Sequence, residues 1–127
     1  MRPARRVGGM MDFTLTERGD VEIVAVTGAI HAEDNDTFAE ALDGLRERER
    51  FRVVIDGRGL AYLNSRAVGT LVAFSRDARI CGGRVVIVRP NPTVSKILKA
   101  VGLLSLVPSY DTLEEAVGAC GGGREWG

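Results

Sequence analysis

A chain of 127 residues with 45% hydrophobic content is the size of one domain with a real core. Seventeen Lys and Arg balance seventeen Asp and Glu, so nonspecific nucleic-acid binding, which needs excess positive charge, is not expected. Two distant cysteines, Cys81 and Cys120, make neither a zinc pattern nor a disulfide framework and suit a reducing cytoplasm, and no stretch approaches the ~20 apolar residues of a membrane span.

The opening Met1-Arg2-Pro3-Ala4-Arg5-Arg6 is basic, but Gly8, Gly9 and Asp12 leave no apolar run after it, so a secretory signal is not expected. Residues 1–11 read as an extension outside the fold. Residues 13–17 alternate apolar and polar as a short edge strand. Arg18-Gly19-Asp20 is a turn signal, and residues 21–27 alternate again, with Glu22, Val24 and Val26 on one face. The two make an N-terminal β-hairpin, and apolar residues on both faces place its second strand more centrally. Residues 28–31 read as a loop.

The acidic, cap-rich residues 33–37 open a helix. Phe38, Ala41, Leu42 and Leu45 recur at helical spacing, and Arg46, Arg48 and Arg50 complement its C-terminal dipole. Residues 51–56 then form a buried strand, Val53-Val54-Ile55, ending in Asp56. Asn64 and Ser65 stand where the next helix starts. Both are N-cap types, because a side-chain oxygen can accept from unpaired N–H groups. A helix start also tolerates an anion, and open α/β sheets place their sites at the carboxyl edge of the strands.

The helix after Ser65 carries Val68, Leu71, Val72 and Ser75 on one stripe and Ala67, Leu71, Phe74 and Ala78 on the next. Its remaining face holds Arg66, Thr70, Ala73 and Asp77. Gly69 costs about 1 kcal/mol against Ala and would allow close packing on the sheet. Phe74 beside exposed Ala73 reads either as core or as an apolar patch open to a partner. Cys81-Gly82-Gly83 stops this helix as a turn, not as a phosphate cradle, because a strand comes next. Residues 85–88 are a second unalternating strand, as in a parallel sheet. Asn91 caps a helix with Pro92 at its first position; Val94, Ile97, Leu98 and Val101 give the period, and Gly102 ends it. Leu106 and Val107 read as a last short strand. Asp111 or Thr112 caps a final helix through Ala116 and Ala119, and residues 120–127 read as a mobile tail.

The order β-β-α-β-α-β-α-(β)-α predicts an α/β fold. Its sheet is mixed and mostly parallel, four- to five-stranded, with packed helices and an N-terminal hairpin, in one domain over residues 12–119.

Val53-Val54-Ile55-Asp56, with Tyr62-Leu63-Asn64-Ser65 at a set distance after it, resembles the STAS domains of the anti-sigma factor antagonist group. Gly28-Ala29-Ile30, Gly82-Gly83 before Val85, and Ala100-Val101-Gly102-Leu103 support the resemblance in order along the chain. It implies a cytoplasmic, non-enzymatic partner switch in stress-responsive transcription, with no cofactor of its own. The unmodified antagonist binds an anti-sigma factor that is also a serine kinase using ATP and magnesium, and so frees a sigma factor. Phosphorylation of the first serine of the family tetrapeptide breaks that binding, and a serine phosphatase reverses it. Direct contact with nucleic acid is not implied. In this chain Ser65 falls at the phosphorylated position and Asp56 at the strand-end acid. Asp56, Asn64, Arg66, Thr70 and Ala73 are the expected site-supporting and partner-binding residues.

Asn64 stands where the family usually has Asp, Arg66 for Ser, Ala67 for Gly, and His31 where Asp is frequent. Two rival readings are an unphosphorylated STAS adaptor in a signalling scaffold or lipid-transport complex, and a small hydrolase built on Ser65, His31 and Asp56. Against the hydrolase, no Gly-x-Ser-x-Gly elbow is present.

Overall fold

Alternating apolar residues near the N-terminus build strands β2 (Met11–Arg18) and β3 (Val21–Ile30), which pair antiparallel across the Gly19 turn. β4 (Arg52–Leu63), β5 (Arg84–Val88) and β6 (Ser109–Tyr110) continue the sheet in parallel, so these five strands are the ones the pattern predicts in kind. A sixth, β1 (Arg5–Val7), pairs antiparallel with β2, and the sheet order is β1-β2-β3-β4-β5-β6. The computed structural model describes residues 5–7 and 11–121; the rest of the expected N-terminal extension and C-terminal tail lies outside them.

Helices α1 (Asn35–Glu47), α2 (Ser65–Ile80) and α3 (Pro92–Ala100) supply Phe38, Leu42, Val68, Leu71, Phe74, Val94 and Leu98 to the main core. The strands contribute Val24, Val53, Ile55 and Ile87 to that core. The short α4 (Leu113–Cys120) packs Ala116 and Cys120 with Val21, Ile23, Val54, Val86 and Val88 in a second cluster. Strands β4 and β5 are thus buried on both faces, which is why they read as apolar runs without alternation.

Several boundaries differ from the pattern, each for a local reason. Met11 and Cys120, expected outside the domain, are both fully buried. The loop expected over 28–31 is strand through Ile30, and Gly28 (φ 88°) provides the left-handed conformation beside a register shift. The last strand is Ser109–Tyr110 instead of Leu106–Val107: Val107 is fully buried in the core, while Ser109 and Tyr110 pair with Ile87 and Val88 and Tyr110 packs on the second cluster. Phe74 is core, with its ring 5.9 Å from that of Phe51 and the Arg46 guanidinium 5.3 Å over its face. Glu22 is fully buried and meets Arg50 Nε at 3.3 Å.

Gly69 does not pack on the sheet. It is exposed, and a Cβ built there meets nothing within 4 Å. Gly69→Ala should therefore stabilise the protein by about 0.5–1 kcal/mol. Thermal unfolding checks this, and a lowered midpoint would show a contact that the exposed helix face does not display.

Candidate functional site

β4 is the element that delivers the site. It runs on past Asp56 for seven more residues, to Leu63. The register places Ala25 opposite Asp56, Thr27 opposite Gly59, Gly28 opposite Leu60 and Ala29 opposite Tyr62. Two extra residues are thus accommodated in β4, and its later inward residues are Leu60 and Leu63. Such irregularities break the period of two and re-aim a strand end. Asp56 is consequently mid-strand, not strand-terminal.

The far end of β4 is held from both sides. On one, Asn64 N donates to Ile30 O of β3 at 3.2 Å. On the other, Asn91 Nδ2 donates to Leu60 O (3.1 Å) and Ala61 O (3.4 Å). Asn91 also caps α3, its Oδ1 accepting from Val94 N at 2.8 Å. The expected cap is present, but the second half of the same amide, which clamps the strand entering the site, has no signal in the sequence.

The cap of α2 falls to Asn64 alone: its Oδ1 accepts from Ala67 N at 2.8 Å. Ser65 is the first helical residue, exposed, with no side-chain hydrogen bond among the described residues. The first intrahelical bond runs from Val68 N to Asn64 O (3.0 Å). The amides of Ser65 and Arg66 therefore precede it at the positive end of the helix dipole. The hydroxyl is free to change chemically without undoing the cap, and an added phosphate would stand where negative charge is favoured.

Around it, Arg66 is exposed, Thr70 is half-buried with Oγ1 donating to Arg66 O (3.1 Å), and Ala73 is exposed. Arg66 forms no ion pair among the described residues. Asp77, on the same stripe, is engaged by Arg46 of α1 at 2.8 Å. The rim also includes two rings. Tyr62 is 38% exposed, the most exposed aromatic side chain near the serine, and lies 5.7 Å from the exposed His31 ring. Tyr62 has a signal in the sequence, a large aromatic two residues before a cap, but only the irregular register turns it outward.

Ser65, His31 and Asp56 do not form a triad. Asp56 is held by Arg58, with Nε at 2.9 Å and Nη2 at 2.8 Å, and no hydrogen bond links the three residues. No group of three or more His, Cys, Asp or Glu residues is placed to hold a metal among the described residues. The arrangement can present a nucleophilic hydroxyl to another protein's active site; it holds no hydrogen-bonded base that would activate that hydroxyl itself.

Hydrogen bonds from the Arg58 side chain keep the Asp56 carboxyl below its ordinary range, against a smaller opposing effect of burial. A lowered folded-state pKa gives stability that is present above about pH 4 and lost as pH falls through the folded value. Wild type should exceed Arg58→Ala in stability near neutrality, by under about 1 kcal/mol for so exposed a pair. The gap should close towards pH 2. Urea unfolding across that range tests this, and a gap independent of pH would refute it.

Residues 12–116 match the family model described as the STAS domain, and the chain belongs to that family. Among solved structures, an anti-sigma factor antagonist from Mycobacterium paratuberculosis shares 21% identity and superposes with a TM-score of 0.79, covering 90% of this chain and 97% of the other. A Thermotoga maritima protein shares 22% identity with a TM-score of 0.79, covering 85% and 93%. The Bacillus cell fate determinant SpoIIAA in its phosphorylated form shares 18% identity with a TM-score of 0.68, covering 84% and 97%. Among the described residues, no helix is long and apolar enough to cross a membrane.

Proposed function

We propose that this protein is an anti-sigma factor antagonist that binds an anti-sigma factor serine kinase through the surface around Ser65. Phosphorylation of Ser65 releases it, and a serine phosphatase restores binding. The carrying observation is the exposed, uncommitted Ser65 hydroxyl at the first position of α2, with capping left to Asn64. The likeness in fold to a protein solved in a phosphorylated form supports this reading. Tyr62 and His31 join Arg66, Thr70 and Ala73 on the partner surface; an exposed Tyr is a residue type that anchors interfaces. Asp56 supports β4 through Arg58 and does not touch the partner. The protein acts in the cytoplasm by binding alone, and the kinase supplies base, nucleotide and metal.

The switch works by local charge. Phosphoserine adds about 1.5–2 negative charges and three acceptor oxygens on a surface that had matched a neutral hydroxyl. The fold need not change for the partner to be lost, because the helix end already accommodates an anion. Incubation with the cognate kinase and ATP, then mass spectrometry, should show one phosphate on wild type and none on Ser65→Ala. Phosphate on Ser65→Ala would move the switch elsewhere. No phosphate on wild type would favour the constitutive adaptor.

A further inference from the structure

The zero net charge conceals a strong segregation. Residues 64–110 contain seven Arg and Lys against a single acid, Asp77, and Asp77 is engaged by Arg46. The compensating acids lie elsewhere, with Asp36, Glu40, Asp43 and Glu47 all exposed along α1. Within the basic segment, a groove of about 220 Å3 separates the distal half of α2 from the turn after α3. Val72, Val101, Leu106 and the largely buried Leu103 give it apolar walls, and Arg76, Arg79, Gly102 and Ser105 complete its lining. Both arginines are exposed and make no ion pair among the described residues. Of the three exposed large hydrophobics of the molecule's described part, Val101, 56% exposed, is in the wall, and Ile80, 82% exposed, follows one helical turn after Arg76. Lys99, two residues before Val101 in the chain, is exposed and equally unpaired among the described residues.

We infer that this groove is a second docking surface, separate from Ser65, for an acidic amphipathic segment of a partner protein. Val72, Val101 and Leu106 would receive an apolar anchor of that segment, while Arg76 and Arg79 meet its carboxylates. Charge complementarity selects the occupant: two unpaired arginines line a slot beside apolar side chains, and the slot is side-chain sized. Among the described residues no aromatic lines it, so the lining offers no stacking platform of the kind that holds single-stranded nucleic acid. A bilayer takes up a broad row of large apolar side chains on an amphipathic helix, whereas among the described residues only Ile80 and Val101 protrude on this side. The surface lies on the same helix as Ser65, so one partner can engage both.

The probe is a synthetic helical peptide of about sixteen residues with Leu on one face and Glu on the other, titrated into isotope-labelled protein and monitored by amide NMR shifts. Shifts are expected at Val72, Arg76, Arg79 and residues 103–106. Replacing Glu by Gln in the peptide, or using the variant Arg76→Gln/Arg79→Gln, should weaken binding at least about tenfold. Raised salt should do the same, since these charges are exposed. Both arginines are exposed, so the double variant should fold, and its own spectrum verifies that; Val101→Asp is a second, independent disruption. Absence of shifts at about 1 mM peptide, equal binding of the Gln peptide, or shifts confined to other basic residues would overturn the inference. So would tighter binding to phosphatidylserine vesicles or to single-stranded DNA. Shifts at the same residues on concentrating the protein alone would make a second copy the occupant and overturn it too. The titration involves neither kinase nor phosphate, so its failure and that of the Ser65 reading are separable.

Discussion

Phe74→Ala should lower the unfolding free energy by about 3–5 kcal/mol, the usual result of truncating a buried Phe. Phe74 is fully buried in the middle of α2. Its ring lies against Phe51 at the start of β4 and under Arg46 of α1. Arg46 in turn bonds Asp77 of α2 (Nε at 2.9 Å) and Asp43 of its own helix (2.6 Å). Truncation thus empties a cavity and removes the surface on which the α1–α2 ion pairs rest. For a domain with about 5–15 kcal/mol in total, the variant approaches the limit of stable folding. Phe74→Leu, which retains much of the volume, should lose far less, about 1.5 kcal/mol or under. Urea unfolding decides: a loss below about 1 kcal/mol in the alanine variant would mean that Phe74 does not anchor the core.

The second large effect is on partner binding. Ser65→Ala should bind the anti-sigma partner as wild type does and remain bound in the presence of ATP. Ser65→Asp should bind about tenfold more weakly, which corresponds to about 1.4 kcal/mol. Aspartate carries only about half the charge of phosphoserine, so the phosphorylated wild type should be weaker still. Neither substitution should move stability by more than about 0.5 kcal/mol, since Ser65 is exposed and the cap belongs to Asn64. Equal partner affinity for all three proteins would remove Ser65 from the mechanism. A stability loss near the 0.5–2 kcal/mol of a lost cap would return the capping role to Ser65.

Arg66 should modulate the proposed switch. It sits in the first turn of α2, where a cation is unfavourable to the dipole by about 0.3–1 kcal/mol, and it is unpaired among the described residues. A phosphate on Ser65 gives it a charge-assisted partner, so part of the new charge is neutralised within the protein. Arg66→Ser should therefore increase the ratio of partner affinities before and after phosphorylation. A ratio that stays the same or falls counts against this role.

Much of the candidate site is legible in the sequence because it rests on local chemistry. Asn and Ser before an apolar-periodic segment announce a helix start, since capping depends only on groups within three residues. Asn91 next to Pro92, and Gly102 after the last periodic residue, mark the ends of α3 in the same way. The β-rich hairpin, the two apolar parallel strands and the helical stripes are likewise local patterns, and they determine an α/β sheet with Ser65 at a helix N-terminus.

The tertiary structure alone decided how β4 arrives there. The pattern ends that strand at Asp56 whereas it runs to Leu63, because period-two alternation fails where register shifts insert extra residues. Only pairing with β3, far earlier in the chain, makes the remainder strand. The same pairing puts Asp56 in mid-strand and turns Tyr62 out beside His31. The choice between Asn64 and Ser65 as cap was equally non-local. Asn64 takes the capping role from an extended backbone whose N–H is tied to Ile30 O, a bond between residues that sequence spacing does not connect. Burial of Phe74, exposure of Gly69 and the convergence of Val72 with Val101 depend on how helices sit on the sheet. That is set by long-range packing between elements, and a helical stripe by itself does not say which of its edges faces the core.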